Sequence, residues 1–334
     1  MKGERIKNLL LVLVGSLFIT IPAANAADGS FKLLTLNLLF SEPTRSPSSD
    51  GTERFDSIAD FILTENIDCI LCQEVVGGEL AKELGLIELP NSSLELKSKL
   101  GSDYKLRYRL ANGIPLLFSV GNAILCKRPI EIKWTVAKTL PFASEITING
   151  IDIKLKRKIM GCLLDVPGFG KLLLFDVHFC AFCPSDQRRA QIIVALEFID
   201  TVSSWVRWFH GDVPCIFGGD FNIQDPPTEP LDSDVDEYNL ITAAGFTDAY
   251  AVTNSCEFEN DCCSPVEDSE VLEEGCTFAV DDNPFENDPN QTTRIDYFFV
   301  QGLEANGAYV VFNGTEVDGP FVSDHSGLVV EFLP

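Results

Sequence analysis

The sequence predicts an α/β protein in which helices cover the sheets, on three observations. Apolar runs of strand length recur along the chain, helical periodicities fall between them, and no linker or composition break divides the chain into two cores. The strand runs are Phe31 to Leu38, Asp68 to Gln73, Asn122 to Cys126, Lys171 to His178, Val213 to Gly218, Ile295 to Val300, Ala308 to Phe312 and Gly327 to Phe332. Between them, Phe55, Ile58, Phe61 and Ile62 recur at steps of three and four. Ile192, Leu196 and Ile199 do the same behind the helix-opening pair Ser185-Asp186. Trp205, Trp208 and Phe209 close that second helix and read as core packing in preference to a membrane foot. Stretches rich in Ser, Pro and Asp mark loops over Ser41 to Gly51 and Asp225 to Asp236.

Residues 1–26 stand apart from the domain that spans 27–334. Lys2, Arg5 and Lys7 precede an apolar stretch from Leu9 to Ile21, and Ala24-Asn25-Ala26 supplies the small-x-small pattern of a secretory signal peptide cleaved after Ala26. The apolar stretch falls short of the about 20 residues a membrane span needs, so no transmembrane anchor is expected. The expected location is secreted or periplasmic.

Composition narrows the function. The 334 residues carry 25 Lys+Arg against 50 Asp+Glu, a formal charge of −25, with 46% hydrophobic residues. Such a chain can bury a sizeable core, but it will not hold a polyanion by bulk electrostatics, because phosphate contacts rely on Lys and Arg displacing counterions. A nucleic-acid partner would have to be gripped locally, by a metal or a small basic patch. The 11 cysteines leave at least one thiol unpaired. Cys69 and Cys72 sit in an apolar run and read as core residues. Cys256, Cys262, Cys263 and Cys276 cluster in an acidic, irregular stretch and are the best disulfide candidates. Cys180 and Cys183 frame a loop.

The residues that can carry chemistry collect at strand ends. Asn37 closes Leu33-Leu34-Thr35-Leu36-Asn37, and Glu74 closes Cys69-Ile70-Leu71-Cys72-Gln73-Glu74. A carboxylate at the mouth of a buried strand must be paired, hydrogen-bonded or bound to metal. Asp176-Val177-His178 ends a third strand and Gly218-Gly219-Asp220-Phe221-Asn222 follows a fourth. Arg294-Ile295-Asp296-Tyr297 opens a fifth, and Ser323-Asp324-His325-Ser326 precedes the last. Together they supply oxygen ligands for a hard cation and two of the three histidines for proton transfer. The chain has no G-x-S-x-G nucleophile elbow and no P-loop.

These motifs, in this order from Phe31 to Pro334, resemble the endonuclease/exonuclease/phosphatase superfamily. The resemblance implies a four-layer α/β sandwich with two packed mixed β-sheets flanked by helices. It implies a phosphodiesterase that uses Mg²⁺, or Ca²⁺ or Mn²⁺, as one or two ions. Glu74 would be the principal metal carboxylate, with Asn37 its neighbour and Asp324 a further metal-side acid. Asp220 would orient or activate the attacking water, Asn222 would position the phosphate, and Asp296 would fix His325 and favour its protonated form. His178 would donate to a phosphoryl oxygen or the leaving group, which points to the deoxyribonuclease-like or neutral sphingomyelinase-like branches.

The resemblance implies a phosphodiester substrate, either a phospholipid or nucleic acid. Strong acidity and Asp236-Glu237-Tyr238, which resembles the sphingomyelinases, favour a sphingomyelinase-like phospholipase C slightly. The alternatives are a secreted deoxyribonuclease-like endonuclease and an inert binding module on the same scaffold. Lys154, Lys156, Arg157 and Lys158 form the densest basic run. It reads either as the solvated side of a strand or as a phosphate-contact patch beside the cleft, with Arg157 and Lys158 the phosphate candidates. His210 reads as a surface turn residue, and Arg188 with Gln191 matches a family Arg-x-x-Gln pattern of structural character.

Overall fold

Strands that are apolar on both faces need cover on both faces, and two such sheets laid against each other need helices only outside. The computed structural model has this arrangement and describes residues 30–39, 53–77, 92–114, 118–148, 151–181, 183–223, 233–256, 275–278, 283–285, 293–315 and 319–333. The expected leader and the Ser41 to Gly51 loop lie outside the described residues. Among the described residues no helix is long and apolar enough to cross a membrane.

The chain runs β1 (Phe31–Asn37), α1 (Glu53–Thr64), β2 (Cys69–Gly77), α2 (Ser92–Leu100), β3 (Tyr104–Ile114), β4 (Phe118–Lys127), β5 (Glu131–Ile148), β6 (Ile151–Val166) and β7 (Gly170–His178). It continues through α3 (Ser185–His210), β8 (Cys215–Asp220), α4 (Ser233–Ala243), β9 (Thr247–Asp248), α5 (Ala249–Thr253), β10 (Asp296–Gln301), β11 (Ala305–Val311) and β12 (Gly327–Phe332). One sheet has the order β11-β12-β1-β2-β4-β3 and the other β5-β6-β7-β8-β10-β9. Both are mixed: β1 and β2 are parallel, β7 and β8 are parallel, and the other pairings are antiparallel.

Side-chain alternation sorts the core into three layers. Phe31, Leu33, Leu71, Leu172, Leu174, Ile216 and Phe298 face the gap between the sheets. Leu34, Leu36 and Ile70 face outward onto Phe55, Ile58 and Ile62 of α1. On the other side Leu173, Phe175 and Val177 meet Ile192, Ala195 and Ile199 of α3. The two glycines before Asp220 are required by close approach. A Cβ on Gly218 would stand 2.5 Å from the Phe298 ring and 2.9 Å from Leu71, and Gly219 has φ 131° with its Cβ position 2.1 Å from the Val177 carbonyl oxygen.

Four expectations are corrected. Cys69 is buried but not a simple core thiol: it forms a disulfide with Cys126, its register partner on β4. Spacing along one strand carries no information about which residue sits beside it on the next. Cys180 and Cys183 form a second disulfide, Cys256 and Cys276 are also disulfide-bonded, and Cys72, Cys162 and Cys215 are free and buried. Ser233 to Asp236, expected in a loop, open α4. Trp205, Trp208 and Phe209 are 68%, 84% and 68% exposed. The buried stripe of α3 runs through Ile192, Ala195, Ile199, Val202 and Val206, and the three aromatics fall off it. Finally, β3 and β5 escaped the strand reading and β6 was foreseen only over Lys154 to Lys158, so the two long hairpins that flank the site were not anticipated. His210 is exposed, as expected, but as the last residue of α3 and not in a turn.

Candidate active site

Strand register gathers the site. His178, the last residue of β7, is the partner of Asp220 at the end of β8, and Asp220 is in turn the partner of Asp296 at the start of β10. Three adjacent strands therefore present the three side chains in a row at one end of their sheet. From the facing sheet, Asn37 ends β1 and Glu74 rises from β2. Glu74 does not end its strand, as the sequence suggested. It sits in a bulge where the β2–β4 register shifts between Cys72 and Val75, with φ 54°. Such a left-handed residue in mid-strand re-aims its side chain, and bulges of this kind cluster beside functional sites.

The hydrogen bonds fix the two histidines in different states. Arg157 Nη1 lies 3.1 Å from His178 Nδ1, and a guanidinium only donates. Nδ1 must therefore accept, which leaves the ring proton on Nε2, 3.3 Å from Asp220 Oδ2 and 3.9 Å from Glu74 Oε1. Burial, reinforced by Arg157 and His325, holds His178 well below the usual imidazole range. This ring is neutral. His325 is the reverse. Burial alone would pull it down, but the Asp296 and Asp220 carboxylates outweigh burial and hold it well above the ordinary value. Its Nδ1 is 2.8 Å from Asp296 Oδ2, and its Nε2 is 3.8 Å from Asp220 Oδ2. The ligand atoms of Asp220, Asp296 and His325 lie within 4.8 Å of one another.

Asp220 is the hub. Its Oδ2 accepts from Asn37 Nδ2 at 2.9 Å and its Oδ1 accepts from the Asn222 amide at 3.0 Å. Asn222, at φ 50°, turns its own Nδ2 onto the Phe179 carbonyl at 3.1 Å. Burial pushes the Asp220 carboxyl up to about 7, against the opposing pull of His325. Glu74 goes further, to about 8, through burial and then through the neighbouring charge of Asp324. Ser323 Oγ donates to Asp324 Oδ1 at 3.1 Å.

Arg157 and Lys158 lie on β6, beside His178 in the same sheet. Arg157 is buried, which the basic run did not foretell, and Lys158 is half-buried beside Arg109, both features drawing its ammonium below the ordinary lysine value. The sequence reading missed the layer below. Gln73 Nε2 crosses between the sheets to Asp176 Oδ1 at 2.7 Å and also donates to Thr35 Oγ1 at 3.1 Å. Burial lifts the Asp176 carboxyl well above the carboxylate range. The signal was present: Asp176 stands two residues before His178 and so shares its face. Glu237, Tyr238 and Arg188 prove to be framework. Arg188 Nε pairs with the fully buried Glu237 at 2.7 Å, and the Tyr238 hydroxyl reaches Asp248.

The model of the Endonuclease/Exonuclease/phosphatase family matches residues 34–325. The chain belongs to this family. Its members are phosphoric ester hydrolases and generally depend on a divalent metal. Among solved structures, a family protein from Bacteroides vulgatus is 17% identical with a TM-score of 0.59, over 90% of this chain and 98% of that one. One from Leptotrichia buccalis is 21% identical with a TM-score of 0.58, over 90% and 98%. TDP2 of D. rerio, complexed with a single-strand DNA product, is 15% identical with a TM-score of 0.61, over 92% and 100%. These likenesses concern the fold. No curated protein matches the chain.

Proposed function

We propose that residues 27–334 form an exported, divalent-metal-dependent phosphodiesterase that opens a phosphate ester by in-line attack of water, with nucleic acid as the first substrate. The observation that carries this reading is Asp220 held between a neutral His178 and a charged His325. A carboxylate raised to about 7 is matched to taking a proton from water near neutrality. His325, charged and braced by Asp296, stabilises the negative charge that grows on phosphorus. His178 carries its proton on Nε2 and exchanges Asp220 for a phosphoryl or leaving-group oxygen. Asn222 positions the phosphate, with Arg157 and Lys158 holding it from the basic wall.

Glu74, Asp324 and Asn37 would hold the metal, Mg²⁺ above Ca²⁺ or Mn²⁺, as one ion or two. The donor set fits, since it offers only hard oxygen atoms, and the mutual repulsion of Glu74 and Asp324 is what a cation relieves. When bound, the ion supplies Lewis acidity and charge neutralisation at the phosphate.

A sphingomyelinase-like phospholipase C is the second reading, favoured by the exposed Trp205, Trp208 and Phe209, residues suited to a bilayer interface. It ranks second for a geometric reason. Helix α3 leaves the catalytic end of β7 and returns to the opposite end of the parallel β8, so at 1.5 Å per residue its aromatic tip lies about 30–36 Å from its start. A membrane seated on that tip would leave the catalytic rim facing away. TDP2, with its DNA product, gives the nucleic-acid reading a precedent on this fold.

The test is hydrolysis of bis-p-nitrophenyl phosphate with Mg²⁺ and again with chelator. Turnover that disappears with chelator and in His325→Ala is expected, and no turnover with Mg²⁺ would refute the enzyme. Nicked plasmid beside untouched sphingomyelin vesicles supports the nuclease. Phosphocholine release beside intact plasmid installs the lipid reading instead.

A further inference from the structure

A second concavity opens beside the site. It has a volume of about 500 Å³ and is lined by Phe142, Ala143, Lys154, Lys156 and Gln187, among others. Lys156 also lines the smaller cleft that contains Glu74 and His178, so the two spaces share a wall.

Its construction follows from strand lengths. Lys158 of β6 is the register partner of His178, the last residue of β7, so the part of β6 before Lys158 runs past the rim with only β5 beside it. Asn112 of β3 clasps this arm to the other sheet. Its Nδ2 donates to the Lys156 carbonyl at 2.7 Å and its Oδ1 accepts from the Lys156 amide at 2.6 Å. The β5–β6 register shifts between Thr139 and Ala143, and the resulting bulge displays Phe142, at φ 59° and 52% exposed. Gln191 anchors the bulge, donating from Nε2 to the Pro141 carbonyl at 2.9 Å.

Charge completes the picture. Lys32, Lys99, Lys133 and Lys171 each pair with an acid. Lys154, Lys156 and Lys158 have no ion-pair partner among the described residues. Lys97, Lys105, Lys127 and Lys138 also lack one, so what sets Lys154, Lys156 and Lys158 apart is their place at alternate positions of a single strand beside the site. Alternate strand positions lie about 6.8 Å apart on one face, close to the step between phosphates of an extended strand. A phosphocholine headgroup has a single phosphate and a cation of its own, which this wall would repel.

We propose that the concavity is a subsite for the nucleotide adjoining the scissile phosphate of a single nucleic-acid strand. Lys156 and Lys154 hold the next phosphates and Phe142 stacks against a base. The proposal rests on the phosphodiesterase reading above and names its substrate class.

The experiment compares wild type with Lys154→Glu and Phe142→Asn, the latter because Asn accepts the left-handed backbone. Substrates are a fluorescent single-stranded DNA oligonucleotide and bis-p-nitrophenyl phosphate, each with Mg²⁺. Each variant is expected to lower kcat/KM on the oligonucleotide about tenfold or more, chiefly through KM, and to leave the small diester within twofold. Lys154→Glu should also reduce the slope of log(kcat/KM) against log[salt] by about 0.7, one single-strand phosphate contact. Equal losses on both substrates, or none on the oligonucleotide, overturn the subsite. Small-diester turnover with phosphocholine release from sphingomyelin vesicles and an intact oligonucleotide also overturns it while leaving the phosphodiesterase standing. No turnover of the small diester by wild type removes the parent reading itself.

Discussion

Glu74→Gln offers the sharpest test of the metal site, because it reads stability and needs no substrate. Burial and Asp324 raise the Glu74 carboxyl from 4.5 to about 8, so its ionised form costs the metal-free fold on the order of 5 kcal/mol at most. The sign is opposite to that of a salt-bridged acid. An unfolded glutamate loses its proton near pH 4.3, whereas the folded one keeps it to about 8. Between those values the native state binds more protons, so unfolding free energy falls as pH rises and the loss is complete above about 8. His325, held up by its carboxylates, and the raised Asp220 and Asp176 carboxyls tilt the curve the same way and keep part of the slope in the variant, while His178, held down, acts mainly below pH 6.5. The window is therefore pH 6.5 to 8.5. Urea denaturation of chelated wild type should show stability dropping by a few kcal/mol across it. Glu74→Gln should flatten much of that drop and be the more stable protein at pH 8.5. Adding Mg²⁺ at pH 8.5 should stabilise wild type and leave the variant almost unmoved. A wild-type curve that is flat or rising across the window, or a Glu74→Gln curve as steep as wild type, would refute the reasoning.

Asp296→Asn should lower kcat on bis-p-nitrophenyl phosphate by about 10²- to 10⁴-fold with the fold retained. It should also move the alkaline limb of the pH–rate profile to lower pH, since Asp296 leads the groups that hold His325 up. Gly218→Ala forces a methyl into the Phe298 ring at 2.5 Å and should cost about 1–3 kcal/mol, seen as a lower urea midpoint. Trp208→Ser, at a position 84% exposed, should leave the midpoint within about 0.5 kcal/mol and turnover of the small diester unchanged, whereas a buried indole would cost several times more. Replacing Cys69 and Cys126 together by Ala frees a loop of sequence separation 57 and should cost about 2–4 kcal/mol by the same measurement.

What the sequence disclosed and what it hid divide along physical lines. A strand covered on both faces must be apolar throughout, so β1, β7, β8, β10 and β12 stood out within a residue or two. The arms β3, β5 and β6 leave the sandwich at the site end, alternate Lys and Arg with apolar residues, and broke no composition threshold. Strand-end polar residues marked Asn37, His178, Asp220 and Asp296 because each interrupts an apolar run where the chain turns into the cleft. The Glu74 bulge was hidden: a register shift belongs to two strands, and one strand's sequence holds half of it. The same limit concealed the Cys69–Cys126 bridge and the Gln73–Asp176 bond between sheets. The exposed tip of α3 runs against the expected core packing because large apolar residues near a helix end need not lie on its buried stripe, and the stripe through Val202 and Val206 runs beside Trp205, Trp208 and Phe209.

The acidity of the chain takes on a different meaning once its charges are placed. A net charge of −25 argues against holding a phosphate chain by bulk attraction. The buried and half-buried acids at the rim then look like a cost without return, since Glu74 and Asp220 are raised to about 8 and about 7 by desolvation and repulsion. That cost is the signature of a site organised for a charge it does not itself contain. Acids drawn from both sheets repel among themselves, as do the unpaired bases of β6 beside them, and a cation with a phosphate at the rim relieves both sets together. Neutralising the acids alone should stabilise the fold while ending its chemistry. Neutralising Lys154 alone should spare the fold and the small diester, and weaken only a substrate long enough to reach it.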